Sequence, residues 1–193
     1  MKKFELTNEF VTNMFGTKLF RIRALVEFGD VEAGELGGYV EKESNLGHDD
    51  NAWVYGNAWV YGDAQVSGDA LVYDNALVYD NAWVYDNAWV YGNAQVSGDA
   101  RVCGDARVCG NGDYAYAHGF GSVNRTTTFF RLKDGGVGVR CGCFYGTLAQ
   151  FRDKIRETHG ETKKAQEYLM LADLMELRFE EDENEVGNRK YVE

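Results

Sequence analysis

Residues 81–108 read NAWVYDNAWVYGNAQVSGDARVCGDARV. One six-residue phrase recurs: Asn or Asp, Ala, a free position, Val, a second free position, then Gly or Asp. Val returns every six residues from Val54 to Val108, and Ala stands two residues before each, from Ala52 to Ala106. Side chains alternate along a strand, so residues two apart share a face. Each Ala/Val pair therefore points one way and its two free neighbours the other. The Gly-Asn, Gly-Asp and Asp-Asn pairs between the short strands suit tight turns with positive φ.

A strand and turn of six residues cannot bury its Val alone, so stacking of repeats must supply the partner. Val40 and Leu46 read as two earlier copies, and the extra residues around His48-Asp49-Asp50 predict a small bulging loop before Val54. If three hexads make one coil, as the family resemblance given below implies, residues 18 apart stack. The free positions then form ladders on three sides. The first carries Trp53, Leu71, Trp89 and Arg107 beside Tyr55, Tyr73, Tyr91 and Cys109. The second carries Trp59, Leu77 and Gln95 beside Tyr61, Tyr79 and Ser97; the third carries Gln65, Trp83 and Arg101 beside Ser67, Tyr85 and Cys103. Asn57, Asn75, Asn93 and Asn111 fall on one corner, where amide hydrogen bonds between coils are expected. Asp74, Asp80 and Asp86 mark the three corners of one coil and read as turn residues rather than metal ligands.

The hexads resemble the hexapeptide-repeat left-handed β-helix superfamily, in which three hexads make one triangular coil. That resemblance covers about residues 34–113 and implies a mainly β fold, a left-handed parallel β-helix. Residues 36–46, LGGYVEKESNL, followed at once by the hexads, are similar to YdcK-like proteins of enterobacteria and phages. Residues 141–160, CGCFYGTLAQFRDKIRETHG, resemble an end-module of phage and prophage solenoids. Many relatives with this coil are homotrimers packed side against side, so the resemblance implies a trimer.

Outside the hexads, residues 1–33 form an expected N-terminal β cap, with strand-like alternation in FRIRALVEF at 20–28. Arg21 and Arg23 would share one face there. Residues 114–128, beginning YAYAHGFGSVN, read as a glycine-broken connecting loop. TTTFFRL and VGVRCGCFYG around Lys133-Asp134-Gly135-Gly136 read as a β-hairpin. Thr147 caps a predicted helix ending at Gly160, and a second helix runs from about Glu161 to Phe179. Residues 129–180 thus make a C-terminal ββαα cap domain, and 181–193 an acidic tail.

The net charge of −11 is uneven. Residues 51–100 hold six Asp and no Lys or Arg, whereas 101–140 hold five Arg and one Lys against three Asp, a local excess of +3. An acidic whole disfavours nonspecific nucleic-acid binding. The basic node either holds a small anion or neutralises nearby acids. No leader-like or membrane-spanning run is evident, and the four cysteines lack the density of a secreted scaffold, so a cytoplasmic, reduced protein is expected.

Chemistry leaves few candidates. Residues 51–113 contain no His; His48, His118 and His159 are scattered around them. His118, in the exit segment, is the best base for the acyltransferase that the superfamily resemblance also suggests. No phosphate loop, nucleophile motif or zinc spacing is present, so no cofactor and no metal are expected. Cys141-Gly142-Cys143 reads as two packed thiols on one strand face. The leading expectation is a non-catalytic solenoid binding protein, phage-encoded by resemblance. It would capture a host factor or a small anionic, nucleotide-like ligand as a counter-defence inhibitor. Trp53, Tyr55, Trp59, Tyr61, Tyr73, Trp89 and Tyr91 would stack a base or a partner, and Arg101, Arg107, Arg125, Arg131 and Arg140 would meet phosphate. The alternatives are an acyltransferase, an acidic nucleic-acid mimic that binds a basic host protein, and a structural filament or phage-particle part.

Overall fold

A computed structural model describes residues 2–121 and 123–180; the expected acidic tail at 181–193 lies outside the described residues. Ten two-residue strands follow the hexads: β4 (Trp53–Val54), β5 (Trp59–Val60), β6 (Gln65–Val66), β7 (Leu71–Val72), β8 (Leu77–Val78), β9 (Trp83–Val84), β10 (Trp89–Val90), β11 (Gln95–Val96), β12 (Arg101–Val102) and β13 (Arg107–Val108). All neighbours pair in parallel at a separation of 18 residues, Trp53 on Leu71, Trp59 on Leu77, Gln65 on Trp83. The result is a parallel β-solenoid of about four turns with three sides. The first side is β4-β7-β10-β13, the second contains β5-β8-β11, and the third is β6-β9-β12.

The Ala and Val columns are fully buried, from Ala52 and Val54 to Ala106 and Val108. Backbone amides satisfy one another between turns, as in Tyr73 N to Val90 O and Tyr79 N to Val96 O, both 3.0 Å. The corners need left-handed backbone. Gly56, Gly62 and Gly68 supply it in one turn and Gly92, Gly98 and Gly104 two turns of the ladder above; between them stand Asp74, Asp80 and Asp86 at φ 61, 60 and 58°. An Asp tolerates this region when its side chain bonds locally. Each carboxylate here accepts the amide N–H of the glycine 18 residues on, at 3.1, 3.2 and 3.3 Å. Side-chain bonds at the corners run from Asn51 to Asp69 and from Asn81 to Asp99. These pairs lie on the other two corners from the Asn57/Asn75/Asn93/Asn111 column, where Asn111 Oδ1 accepts the Gln95 amide N–H at 2.8 Å.

The N-terminal end is closed by β1 (Phe4–Thr12), β2 (Lys18–Ala24) and β3 (Leu36–Val40), an antiparallel sheet whose last strand pairs in parallel with β5. The second side of the solenoid is thereby extended into a six-stranded sheet. Arg21 pairs with Glu9 and Arg23 with Glu5, on the face the alternation indicated. Phe4, Ile22, Ala24 and Val31 join the Ala/Val core. The cap also corrects the reading of Trp53 as an outward, ligand-accessible ring. Trp53 is fully buried, edge-on to Phe4 at 6.2 Å and to Phe28 at 5.3 Å between ring centroids. Its ladder does turn away from the prism interior, but on this turn the cap covers it.

The C-terminal end is closed by a four-stranded antiparallel sheet, β14 (Tyr114–Phe120), β15 (Arg125–Arg131), β16 (Val137–Cys141) and β17 (Phe144–Thr147). Two helices follow, α1 (Leu148–His159) and α2 (Lys163–Phe179), capped by Thr147 and Thr162. Residues 114–120 were expected to be loop and are a strand. The misleading glycines mark a bulge: the pairing slips between Ala117 and Phe120, and Gly119 sits at φ 89°. Likewise the single expected strand at 137–146 folds back at Cys141-Gly142-Cys143 to make β16 and β17. β15 serves two cores. Phe130 closes the solenoid core, and Phe129, one residue earlier, packs with Phe151, Tyr168, Ala172 and Phe179 under the helices.

This packing separates tryptophans that the repeat makes equivalent. Trp53→Ala should cost roughly 3–5 kcal/mol, the usual penalty for a buried large aromatic. Trp83→Ala, at 42 % exposure, should cost under about 1 kcal/mol. Urea unfolding of both variants measures the difference.

Candidate functional site

Among the recesses of the described surface, three bear on the expected site residues. The first is a cleft of about 460 Å³ where the third side of the solenoid meets the C-terminal cap. Asn81, Trp83, Asp99 and Arg101 form its solenoid wall; Val123, Asn124, Arg125, Thr126 and Gly142 form its cap wall. The 18-residue register sets Arg101 directly beside Trp83, with the guanidinium carbon 5.1 Å from the ring centroid. The main chain of Arg101 is itself tied to the cap, its N–H donating to Thr128 Oγ1 at 2.9 Å. His118 stands near this wall, with Nδ1 2.9 Å from Thr126 Oγ1 and 3.8 Å from an Asp99 carboxylate oxygen.

The second recess is a shallow groove of about 730 Å³ along the first side, lined by Tyr55, Leu71, Tyr73 and Trp89 with corner residues. Tyr73 stacks on Tyr91 at 4.9 Å, and Arg107 lies 4.0 Å over Trp89. The Arg107 guanidinium also donates to the carbonyls of Asn87 and Ala106, so its donors are partly engaged. The second side carries Trp59 and a Tyr61–Tyr79 stack at 5.2 Å. The third recess, about 240 Å³, lies beside α1 in the cap.

The five arginines expected to meet phosphate are thus sorted by the fold. Arg101 and Arg125 converge on one cleft. Arg107 belongs to the aromatic groove. Arg140 covers the Tyr85 ring at 5.9 Å. Arg131 is a correction: it is buried, donates to the carbonyls of Gly135 and Phe179, and stacks on the Phe179 ring. Its place on β15, with the parity of Phe129, turns it into the helical core, where it fastens the end of α2. Among the described residues, none of the five forms an ion pair; the arginine ion pairs there involve Arg21, Arg23, Arg152 and Arg156. Trp83 was missing from the expected site, although the period already set it beneath Arg101.

Burial shapes the titration of these surfaces. It raises the Tyr73 phenol to about 12, with the stacked Tyr91 adding to the effect. It also raises Tyr85, helped by the Cys103 thiol, and Cys103 itself. Among the described residues no cluster of three or more His, Cys, Asp or Glu is placed to hold a metal ion, and no helix is long and apolar enough to cross a membrane.

Comparison with known families agrees with the geometry of the body. A family model for the YdcK beta solenoid repeat matches residues 64–80, 72–86, 82–98 and 94–110. The chain carries the YdcK β-solenoid repeat. The matched YdcK segments span the turns that bear Trp83, Arg101 and Arg107, whereas the cap wall of the cleft lies beyond them. No curated protein matches the chain.

The raised phenols give the fold a signed pH dependence. Tyr55, Tyr61, Tyr73, Tyr85, Tyr114, Tyr145 and Tyr168 all titrate above their ordinary value, chiefly through burial. The unfolded chain releases those protons first, so their contribution is complete below about pH 10 and is lost as pH rises toward about 12. The tyrosinate absorbance of these seven, out of twelve tyrosines, should therefore rise late and in step with loss of circular dichroism. Complete ionisation of the tyrosines near pH 10 with the fold intact would contradict this.

Proposed function

We propose that the protein is a non-catalytic solenoid that binds a small anionic, nucleotide-like ligand in the cleft between its third side and its cap. The observation that carries this reading is the convergence of Trp83, Arg101 and Arg125 in one cleft, two arginines that form no ion pair among the described residues beside an exposed indole. An Arg fork suits a phosphate bidentately, and a base gains about 1–3 kcal/mol by stacking on an aromatic face. Asn81 and Asp99 add an amide and a carboxylate able to read base edges. Capture of such a ligand from a host cell is the use that the phage resemblance suggests. The aromatic first side is the surface proposed for side-against-side trimerisation, since half-buried Tyr and Trp rings are common at interfaces.

Isothermal calorimetry with linear and cyclic nucleotides, with light scattering on the same samples, tests both points. Binding should weaken at least about tenfold, or about 1.4 kcal/mol, in Arg101→Ala and in Trp83→Ala, in particles of three chains. Absence of heat with every nucleotide would remove the ligand reading, and a monomer would remove the trimer.

One observation favours a second reading: His118 stands beside cleft residue Asp99, as a base in an acyltransferase would need. Acetyl-CoA turnover abolished by His118→Ala would put an enzyme in place of a binding protein.

A further inference from the structure

The Cys141-Gly142-Cys143 segment, expected to place two packed thiols on one strand face, is instead a turn in which Cys143 is exposed. It joins β16 to β17, and Gly142 adopts φ 59°. The Arg125 guanidinium rests against the bare α-carbon of Gly142, in the space a Cβ would fill. The positive φ favours glycine here, and a Cβ would displace the Arg125 guanidinium from its seat. Cys141 is held from behind: Thr127 Oγ1 donates to its sulfur at 3.2 Å, and that sulfur lies 3.8 Å from the Tyr168 hydroxyl.

From this seat Arg125 reaches two recesses. One is the cleft described above. The other is the cavity of about 240 Å³ beside α1, with an apolar floor of Phe144, Phe151 and Ile155. Arg125, Lys154 and His159 are the basic groups that line it, Thr158 and Tyr168 contribute hydroxyls, and no carboxylate is among its lining residues. Lys154 is already paired with Glu157 at 2.8 Å, whereas Arg125 forms no ion pair among the described residues. In a chain of net charge −11, such a lining stands out. An apolar floor with a few convergent polar groups is the usual form of a small-molecule site.

We propose that this cavity binds a small amphiphilic monoanion of the aromatic carboxylate class, in a recess distinct from the Trp83 cleft that shares Arg125 with it. The carboxylate pairs with the Arg125 fork, aided by Lys154 and His159, and the ring lies on Phe144, Phe151 and Ile155. The Cys-Gly-Cys turn acts as the positioning element for Arg125.

The test is a titration of the full chain with benzoate, followed by two-dimensional NMR of the Ile155 methyl groups and the backbone, with benzamide as the uncharged isostere. Benzoate should shift Ile155 and its neighbours at millimolar concentration, and benzamide should bind at least tenfold more weakly. Gly142→Ala and Arg125→Gln should each weaken benzoate at least tenfold, and Trp83→Ala should leave it unchanged while removing nucleotide binding. Thermal melting of each variant reports whether its fold is kept. If Gly142→Ala does not fold, Arg125→Gln together with the cavity-filling Ile155→Trp decides the matter. Equal binding of benzamide, shifts centred on Trp83 and Arg101, or no shifts at ten millimolar would each overturn the proposal.

Discussion

The whole structure depends on one constraint: a continuous inward column of Ala and Val that no single repeat can bury. A two-residue strand has almost no stability alone, and each turn of the solenoid hides its valines only against the turns above and below. The 18-residue register follows, because only that stagger lets amides and carbonyls of successive turns pair while the valines remain in line. The ends are where this arrangement fails unless other chain covers them. Phe4, Ile22 and Val31 cover one end, and Phe130 and Tyr114 the other. The corner aspartates show the same economy, since each places its carboxylate where the next turn offers an amide N–H.

The proposed site arises from that closure rather than from the repeat. Trp83 and Arg101 are ordinary ladder positions, and a bare solenoid would display them on a flat side. The β14–β15 segment turns the flat side into a cleft by standing over it, and brings Arg125 to face Arg101. Arg101 and Arg125 both line that recess, together with Asp99, and the same Arg125 borders a second, more apolar recess in the cap.

The sequence made the solenoid legible because its code is local and repeated. The Ala/Val pairs, the turn pairs and the bulge near His48 could be placed from spacing alone, and both cap helices declared themselves through Thr147, Gly160 and the apolar stripe of α2. What escaped were features set by tertiary contact. Trp53 looks identical to Trp89 in its hexad, and only the N-terminal sheet folding over it makes it core. Arg131 looks like its neighbours in a basic stretch, and only the docking of α2 turns it into a fastening for Phe179. The stretch from Tyr114 seemed too broken by Gly119 and Gly121 for a strand, because a bulge and a loop use the same residue. The cleft was half readable: the period sets Arg101 on Trp83, but nothing local announces that Asn124 and Arg125 return to face them.

The measurement that bears most directly on this account is the detection of scalar couplings across hydrogen bonds by NMR, one bond on each side of the prism. Couplings are expected from the Tyr73 amide to the Val90 carbonyl, from Tyr79 to Val96 and from Tyr85 to Val102. All three together establish the 18-residue turn and the inward valine column. Couplings at any other separation, or a Tyr79 amide without a partner in the neighbouring turn, would contradict the register on which both the fold and the cleft are built.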